Sequence, residues 1–227
     1  MASAHVLDRP VWTALATRQA AWAVGGERAR RFVPDVGPLA GARDDEPESL
    51  AALAALVADT GDLLLLQAEP IAIPPGVIAA TTAAGVQLVA GELVDVEPEP
   101  RIELLTEADA PAMLALATLT RPGPFGPRTA SLGTFWGVRD GGALVAMAGE
   151  RLRQPGYTEV SGVCTHPDAR GRGLARALSA RVARRIRDRR ETPYLHAYAT
   201  NTAAIELYES LGFRLRCEVH VARLTRA

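Results

Sequence analysis

Two glycines separate a predicted strand from a predicted helix in residues 163–178, which read VCTHPDARGRGLARAL. The strand covers about 159–165, a turn follows at 166–168, and the helix begins at about Leu174. Gly171 and Gly173, in the sequence Arg-Gly-Arg-Gly at 170–173, let the backbone come close to a bulky anion. The free N–H groups of a helix's first turn and the helix dipole then favour negative charge there. The segment therefore predicts a phosphate-binding loop.

Two common nucleotide loops do not fit this segment. The chain contains no lysine, so the Gly-x-x-x-x-Gly-Lys-Ser/Thr pattern of P-loop proteins is absent. The dinucleotide loop Gly-x-Gly-x-x-Gly needs a small residue at the position that Arg176 occupies here. The phosphate must therefore belong to another kind of ligand.

The loop resembles the acyl-CoA pyrophosphate loop of the GCN5-related N-acetyltransferase (GNAT) superfamily. That pattern, Gln/Arg-x-x-Gly-x-Gly/Ala, is matched by Arg170, Gly173 and Ala175. A second stretch, residues 195–213, is similar to the last motif of the same superfamily, Asn-x-x-Ala-x-x-x-Tyr-x-x-x-Gly-Phe. Its fixed positions are Asn201, Ala204, Tyr208, Gly212 and Phe213.

The resemblance covers about residues 101–227 and implies a GNAT domain there. The implied fold is α/β, with a mixed, mostly antiparallel sheet flanked by helices. Before it, residues 1–97 predict a smaller α/β domain that weakly resembles a degenerate copy of the same fold. The polar, proline-containing segment 97–100 is the predicted boundary, because alternating prolines stiffen a linker.

The resemblance also implies acetyl-CoA as the co-substrate. The backbone N–H groups of Val163, Cys164 and Thr165 would bond to the pantetheine arm and the thioester oxygen, and Asn201 would contact the same arm. The pyrophosphate would lie on the loop residues Arg170, Gly171, Arg172, Gly173, Leu174 and Ala175. No residue pattern predicts a metal site. Cys164 and Cys217 lie in strand-like segments and are expected to be buried free thiols.

Tyr208 is the candidate general acid. A phenol with a pKa of about 10 is protonated at neutral pH and can donate to a departing thiolate. The alternative is that Tyr208 is an ordinary core aromatic on an amphipathic helix.

Glu159 is the candidate general base. It stands eleven residues before Arg170, where the resemblance to histone-type members implies a catalytic glutamate. Strand alternation predicts that it shares a face with Val163 and Thr165. Glu150, His166 and ordered water are alternatives, while His196 is expected to be a satisfied core residue.

Charge is divided unevenly along the chain. Residues 1–110 hold 7 Arg against 17 Asp and Glu, whereas residues 111–227 hold 18 Arg against 9. A basic C-terminal half suits a polyanion such as CoA. Nucleic acid is not expected as a partner because no aromatic residues interleave with the arginines. The longest apolar stretch is interrupted by charges, so no membrane span is expected and a cytoplasmic location is predicted.

Outside the motifs, local patterns predict several further elements. They are a helix over 10–24, a loop over 34–47, two short strands at 78–80 and 86–89, and a final strand pair over 213–224.

Together these patterns predict an N-acetyltransferase that moves an acetyl group from acetyl-CoA to a primary amine of a small molecule or peptide. The alternative is a non-catalytic, regulatory acyl-CoA-binding module with the same fold. Either protein would be a monomer or a homodimer.

Overall fold

A computed structural model of the protein describes residues 5–97, 99 and 101–227. Within them the helices are α1 Pro10–Ala16, α2 Pro47–Thr60, α3 Ala110–Thr120, α4 Leu174–Asp188 and α5 Thr202–Ser210. The strands are β1 Ala23–Gly25, β2 Ala29–Phe32, β3 Leu39–Ala42, β4 Leu63–Gln67, β5 Val77–Ala90, β6 Glu103–Leu105, β7 Phe135–Asp140, β8 Ala143–Gln154, β9 Tyr157–Thr165, β10 Thr192–Tyr198 and β11 Phe213–Arg226.

All of these strands belong to one sheet, in the order β1-β2-β3-β4-β11-β5-β10-β9-β8-β7-β6. Neighbours are antiparallel except at β3–β4 and β9–β10, which are parallel. The prediction of a mixed, mostly antiparallel sheet flanked by helices is therefore confirmed. No helix in the described part of the chain is long and apolar enough to cross a membrane.

The sheet crosses the predicted boundary at 97–100. Strand β5, from the N-terminal segment, lies between β10 and β11, which both come from the C-terminal segment. Strands of the two segments thus alternate at the centre of the sheet. The division into two domains at 1–97 and 101–227 stays a prediction. Pro98 and Pro100, on which the stiff linker was predicted, lie outside the described residues.

Helix α4 covers one face of the sheet. Its residues Leu174, Leu178, Val182 and Ile186 recur every four positions and are all buried against the sheet. The opposite face of the sheet is covered by α1 and the residues before it, including Leu7, Val11 and Leu15. The two faces thus have separate cores.

Long-range pairing overrides local pattern in the N-terminal half. The helix predicted over 10–24 ends at Ala16. Buried Gln19 then uses its side-chain amide to bond the backbone of Arg151 and Arg153 on β8. The loop predicted over 34–47 contains β3, whose sequence Leu-Ala-Gly-Ala has little β propensity.

The predictions of strand pairs at 78–89 and 213–224 are wrong, because each pair is one long strand. β5 and β11 pair with each other along their full lengths, with bulges near Leu215 and Arg223. The exposed middle of β5 holds only small residues, which hid the strand from the hydrophobic pattern. Gly85 is required there, since a Cβ would lie 2.9 Å from the Ala197 carbonyl oxygen of β10.

Leu88 tests whether β5 belongs to the same cooperative unit as α4. It is fully buried in the α4 core, so Leu88→Ala should lower the free energy of unfolding of the whole chain by about 2–5 kcal/mol. Ile78→Ala on the same strand is the control, because Ile78 is 49% exposed. Denaturant unfolding followed by two probes measures both; a Leu88→Ala change confined to a separate first transition contradicts the expectation.

Candidate active site

A cleft of about 780 Å³ opens where β9 and β10 separate. One end is formed by the glycine loop and the start of α4, and one wall by α5. The other wall is apolar and comes partly from the N-terminal segment: Leu39, Leu64, Leu66, Val219 and Val221. The cleft thus has a polar backbone end and an apolar side-chain end.

The glycine loop has the shape of an anion-binding nest. Gly171 and Gly173 have φ of 74° and 73°, a left-handed conformation that glycine adopts without strain. A Cβ on either residue would meet no atom within 4 Å, so the space in front of the loop is open. Gly173 is the N-cap of α4 and no side chain caps this helix. The first-turn N–H groups are therefore free for an anion.

The arginines of the loop differ in how they are engaged. Both Arg170 and Arg172 line the cleft, but Arg172 also pairs with Asp140 at 2.7 Å, whereas the Arg170 side chain pairs with no described carboxylate. The charge of Arg172 is therefore shared with a carboxylate, and the backbone of the loop remains its main anion-binding group.

β9 and β10 pair only at their first residues, from Tyr157 and Thr192 to Glu159 and Tyr194. Beyond this point β9 follows β8 and β10 follows β5, so the edges that face each other are unpaired. The gap between these unpaired edges leaves room for a ligand between the two strands.

Direction of hydrogen bonding along the end of β9 distinguishes the three predicted backbone donors. His166 N–H donates to Val145 O on β8 at 2.7 Å. Backbone N–H groups alternate in direction along a strand, so the N–H group of Cys164 also points towards β8. The N–H group of Thr165 then points into the gap. The Thr165 hydroxyl is also buried without a hydrogen-bond partner among the described residues. Thr165 is thus the donor best placed for a ligand in the cleft.

A bulge between Ser161 and Cys164 changes which side chains share a face of β9. Gly162 adopts φ 64° there. Val163 packs with the α4 core, whereas Glu159 lies on the opposite face. The prediction that Glu159 and Val163 share a face is therefore wrong, because the extra residue of the bulge breaks the alternation.

Helix α5 carries two of the predicted site residues into the cleft. Asn201 is the N-cap, and its Oδ1 accepts from Ala204 N–H at 3.3 Å. Tyr208 lies two turns later, 8% exposed, and lines the cleft. Burial is the main cause that raises the pKa of Tyr208 to about 12, with Cys164 and Glu159 adding to it. The phenol is therefore protonated throughout the neutral range.

Glu159 lies beneath the cleft and does not line it. It is 1% exposed and forms a bidentate ion pair with Arg151, both distances being 2.9 Å, and a 2.8 Å bond with His196 Nδ1. Burial raises its pKa, but Arg151 and His196 outweigh burial and lower the pKa to about 2. This geometry does not support direct proton transfer from an amine to Glu159.

His196 has both ring nitrogens engaged. Gln87 Nε2 lies 3.0 Å from His196 Nε2 and also donates to the Leu7 carbonyl oxygen at 3.0 Å. Donation from Gln87 leaves the imidazole proton on Nδ1, which then donates to Glu159. The imidazole edge lines the cleft, but neither nitrogen is free to accept a proton.

The other candidate bases also lie apart from the cleft. Glu150 is fully buried between Arg153 at 3.2 Å and Arg189 at 2.8 Å. His166 caps a short turn by accepting from Asp168 N–H at 3.3 Å. Neither residue lines the cleft, and no carboxylate of the described residues does so.

Two cleft regions were invisible to sequence motifs. The apolar wall comes from β3, β4 and β11, whose leucines and valines look like ordinary core residues. The segment after α3, from Arg121 to Pro124, also lines the cleft and belongs to neither motif. Only long-range strand pairing brings these parts together.

A putative acetyltransferase from the GNAT family of Novosphingobium aromaticivorans is 45% identical in sequence. The alignment covers 99% of this chain and 100% of that one, with a TM-score of 0.92.

The chain belongs to the GNAT family. The family model described as FR47-like protein matches residues 135–222. A GCN5-related N-acetyltransferase from Kribbella flavida shares the fold, with a TM-score of 0.63 at 18% identity over 94% of this chain and 95% of that one. Mycothiol acetyltransferase of Salinispora arenicola is 42% identical over 74 residues, which are 32% of this chain and only 24% of that relative. As a GNAT protein, the chain is an acyltransferase.

GNAT acetyltransferases use acetyl-CoA, and the cleft fits this group. The open glycine loop and uncapped α4 suit the pyrophosphate, and the unpaired edge of β9 suits the amide-containing arm. The orphaned Thr165 hydroxyl supplies a further partner. The described residues contain no cluster of three or more His, Cys, Asp or Glu that could hold a metal ion.

Gly173→Glu should abolish acetyl-CoA binding, because it places bulk and negative charge at the pyrophosphate position. Gly156→Glu is the matched control, since Gly156 has φ 79°, is equally open and lies outside the cleft. Calorimetry should show at least a hundredfold weaker binding for the first variant only (about 3 kcal/mol). Unchanged affinity of Gly173→Glu would show that the loop does not hold CoA.

Proposed function

We propose that the protein transfers an acetyl group from acetyl-CoA directly to a primary amine. The observation that carries this proposal is the position of the Tyr208 phenol, in the cleft that opens at the unpaired edge of β9. Val163, Cys164 and Thr165 lie along this edge, and Thr165 is the donor that best suits the thioester oxygen. Residues 170–175 and Asn201 line the cleft where the rest of CoA would lie.

The proposed reaction forms a C–N bond and breaks the C–S bond of the thioester. The neutral amine attacks the thioester carbonyl, and backbone N–H groups stabilise the charge that develops on its oxygen. Tyr208 donates its proton to the departing sulfur. A phenol with a pKa of about 12 gives up a proton to a thiolate only if it regains one at once. The proton lost by the amine nitrogen, carried by water, supplies it, so that free thiol and amide are the products.

Water serves as the base in this proposal. No carboxylate lines the cleft within the described residues, and His196 has no free nitrogen. The role of Glu159 is then positional. Its carboxylate fixes His196 and Arg151, which do line the cleft, and it does not touch the amine.

Tyr208→Phe tests whether Tyr208 is the general acid that protonates the departing sulfur. It removes one hydroxyl with no hydrogen-bond partner among the described residues, so the fold should not change, and kcat should fall about 10²- to 10⁴-fold. The affinity for acetyl-CoA should stay within about threefold, since the pyrophosphate and arm contacts remain. Tyr157→Phe, outside the cleft, is the control. Release of free thiol measures the rate, and a Tyr208→Phe enzyme as fast as the wild type contradicts the assignment.

The same assay separates the enzyme from a regulatory module. Acetyl-CoA should give thiol with members of an amine panel. Tight CoA binding without thiol release from any amine would favour the non-catalytic alternative.

The pH profile tests the absence of a dedicated base. If water takes the proton, kcat/KM should rise about tenfold per pH unit below the pKa of the amine itself. Two acceptors whose amine pKa values differ by about two units should therefore give inflections that differ by the same amount. An inflection that stays at one pH for both amines would show that a protein group acts as the base.

A further inference from the structure

A second cavity of about 550 Å³ continues the apolar side-chain end of the cleft, where the acceptor of the proposed reaction would lie. Both cavities share residues of the segment after α3 and of the apolar wall, among them Arg121, Leu64 and Val221. The glycine loop lines only the first cavity. The second cavity therefore lies beyond the acceptor amine, away from the CoA phosphates.

Arg31 lines this cavity with an uncompensated charge. It is 4% exposed, and its guanidinium donates only to backbone carbonyls, those of Phe32 at 2.9 Å, Thr60 at 3.2 Å and Gly37 at 3.4 Å. No carboxylate in the described part of the chain pairs with it. Burial lowers its pKa, and no neighbouring acid opposes that effect. Since three donors are used of the five that a guanidinium has, two remain for a ligand.

Arg121 brings a second positive charge to the junction of the two cavities. It is one of two non-glycine residues with positive φ (52°) in the described chain, and it forms the C-cap of α3. Its side chain forms no hydrogen bond or ion pair with another described residue. The left-handed backbone at this C-cap ends α3 and places Arg121 where the two cavities meet.

The remaining charges of the two cavities are also positive. Arg223 lines the second cavity, half exposed and 3.6 Å from Asp62. No aspartate or glutamate of the described residues lines either cavity. A polycationic acceptor would be repelled by the arginines that line both cavities. An anion would instead be attracted to Arg31 and Arg121, which have no carboxylate partners.

We propose that the acceptor carries an anionic group, a carboxylate or a phosphate, separated from its amine by an apolar segment. Arg31 and Arg121 bind the anionic group, and the wall of Leu64, Leu66 and Val221 contacts the apolar segment. This inference rests on the proposed amine acetylation and adds the substrate class to it.

A series of six-carbon amines tests the inference with thiol release as the readout. The probes are 6-aminohexanoate, its amide, 6-aminohexylphosphonate, hexylamine and hexane-1,6-diamine. The wild type should prefer an anionic probe over the amide by at least about tenfold in kcat/KM, and the diamine should be the poorest. The carboxylate and phosphonate arms identify which anion is preferred.

Arg121→Gln should reduce the preference for the anionic probe over the amide to about onefold. Arg190→Gln is the matched control, since Arg190 is the other non-glycine residue with positive φ, at 62°, and lies outside both cavities. Arg31→Gln should act in the same direction, with its folding checked by thermal unfolding; Arg121 is exposed and carries the test if that variant does not fold.

The outcomes separate the two proposals. Equal rates with the anionic, amide and diamine probes overturn the anionic-acceptor inference and leave amine acetylation intact. Absence of thiol release with every amine, despite CoA binding, overturns the proposed function itself. A preference that survives Arg121→Gln and a folded Arg31→Gln also overturns the inference, because another group must then bind the anion.

Discussion

The separation of β9 from β10 is the constraint on which the rest of the site depends. Two adjacent parallel strands normally continue to pair, and unpaired buried backbone groups are unfavourable. Here they part after Glu159 and Tyr194. At this point the Glu159 carboxylate bonds Arg151 of β8 and His196 of β10, so one buried side chain ties three strands together where the gap begins. Because a buried ion pair contributes little net stability, we propose that Glu159 serves to fix the geometry at this point.

Because the strands separate, the cleft has two ends with different chemistry. At the end proposed for the acetyl donor, backbone groups of β9, the glycine loop and α4 offer N–H donors, which need no particular side chains. At the end proposed for the acceptor, side chains from β3, β4, β11 and the segment after α3 form the wall. Backbone recognition suits a donor shared by a whole family. Side-chain recognition suits an acceptor that differs from one member to the next.

Local sequence predicted the donor end well. The strand, the glycine loop and the start of α4 at Leu174 follow from short-range spacing, and the structure confirms these elements. The sheet order could not be predicted in the same way. β5 is inserted between β10 and β11, and its small exposed residues carry no strand-like hydrophobic pattern.

The same limit applies to individual site residues. Sequence position made Glu159 a candidate base, but its burial depends on Arg151 and His196, which lie on different strands. Likewise, nothing near Arg31 in sequence marks it as unpaired, because an arginine's partner can come from any part of the chain. Roles that depend on burial and partner choice become visible only once the strands are assembled.

Amide hydrogen exchange with and without CoA tests whether the gap between β9 and β10 holds the acetyl donor. If the gap and the loop hold the donor, CoA should slow exchange at residues 163–165 and 171–176, with little change along β1 to β3. Thr165 should be protected more than Cys164, because the Cys164 N–H group already faces β8. Protection confined to other segments, or none at residues 163–176, would contradict a donor site at the separation of β9 and β10.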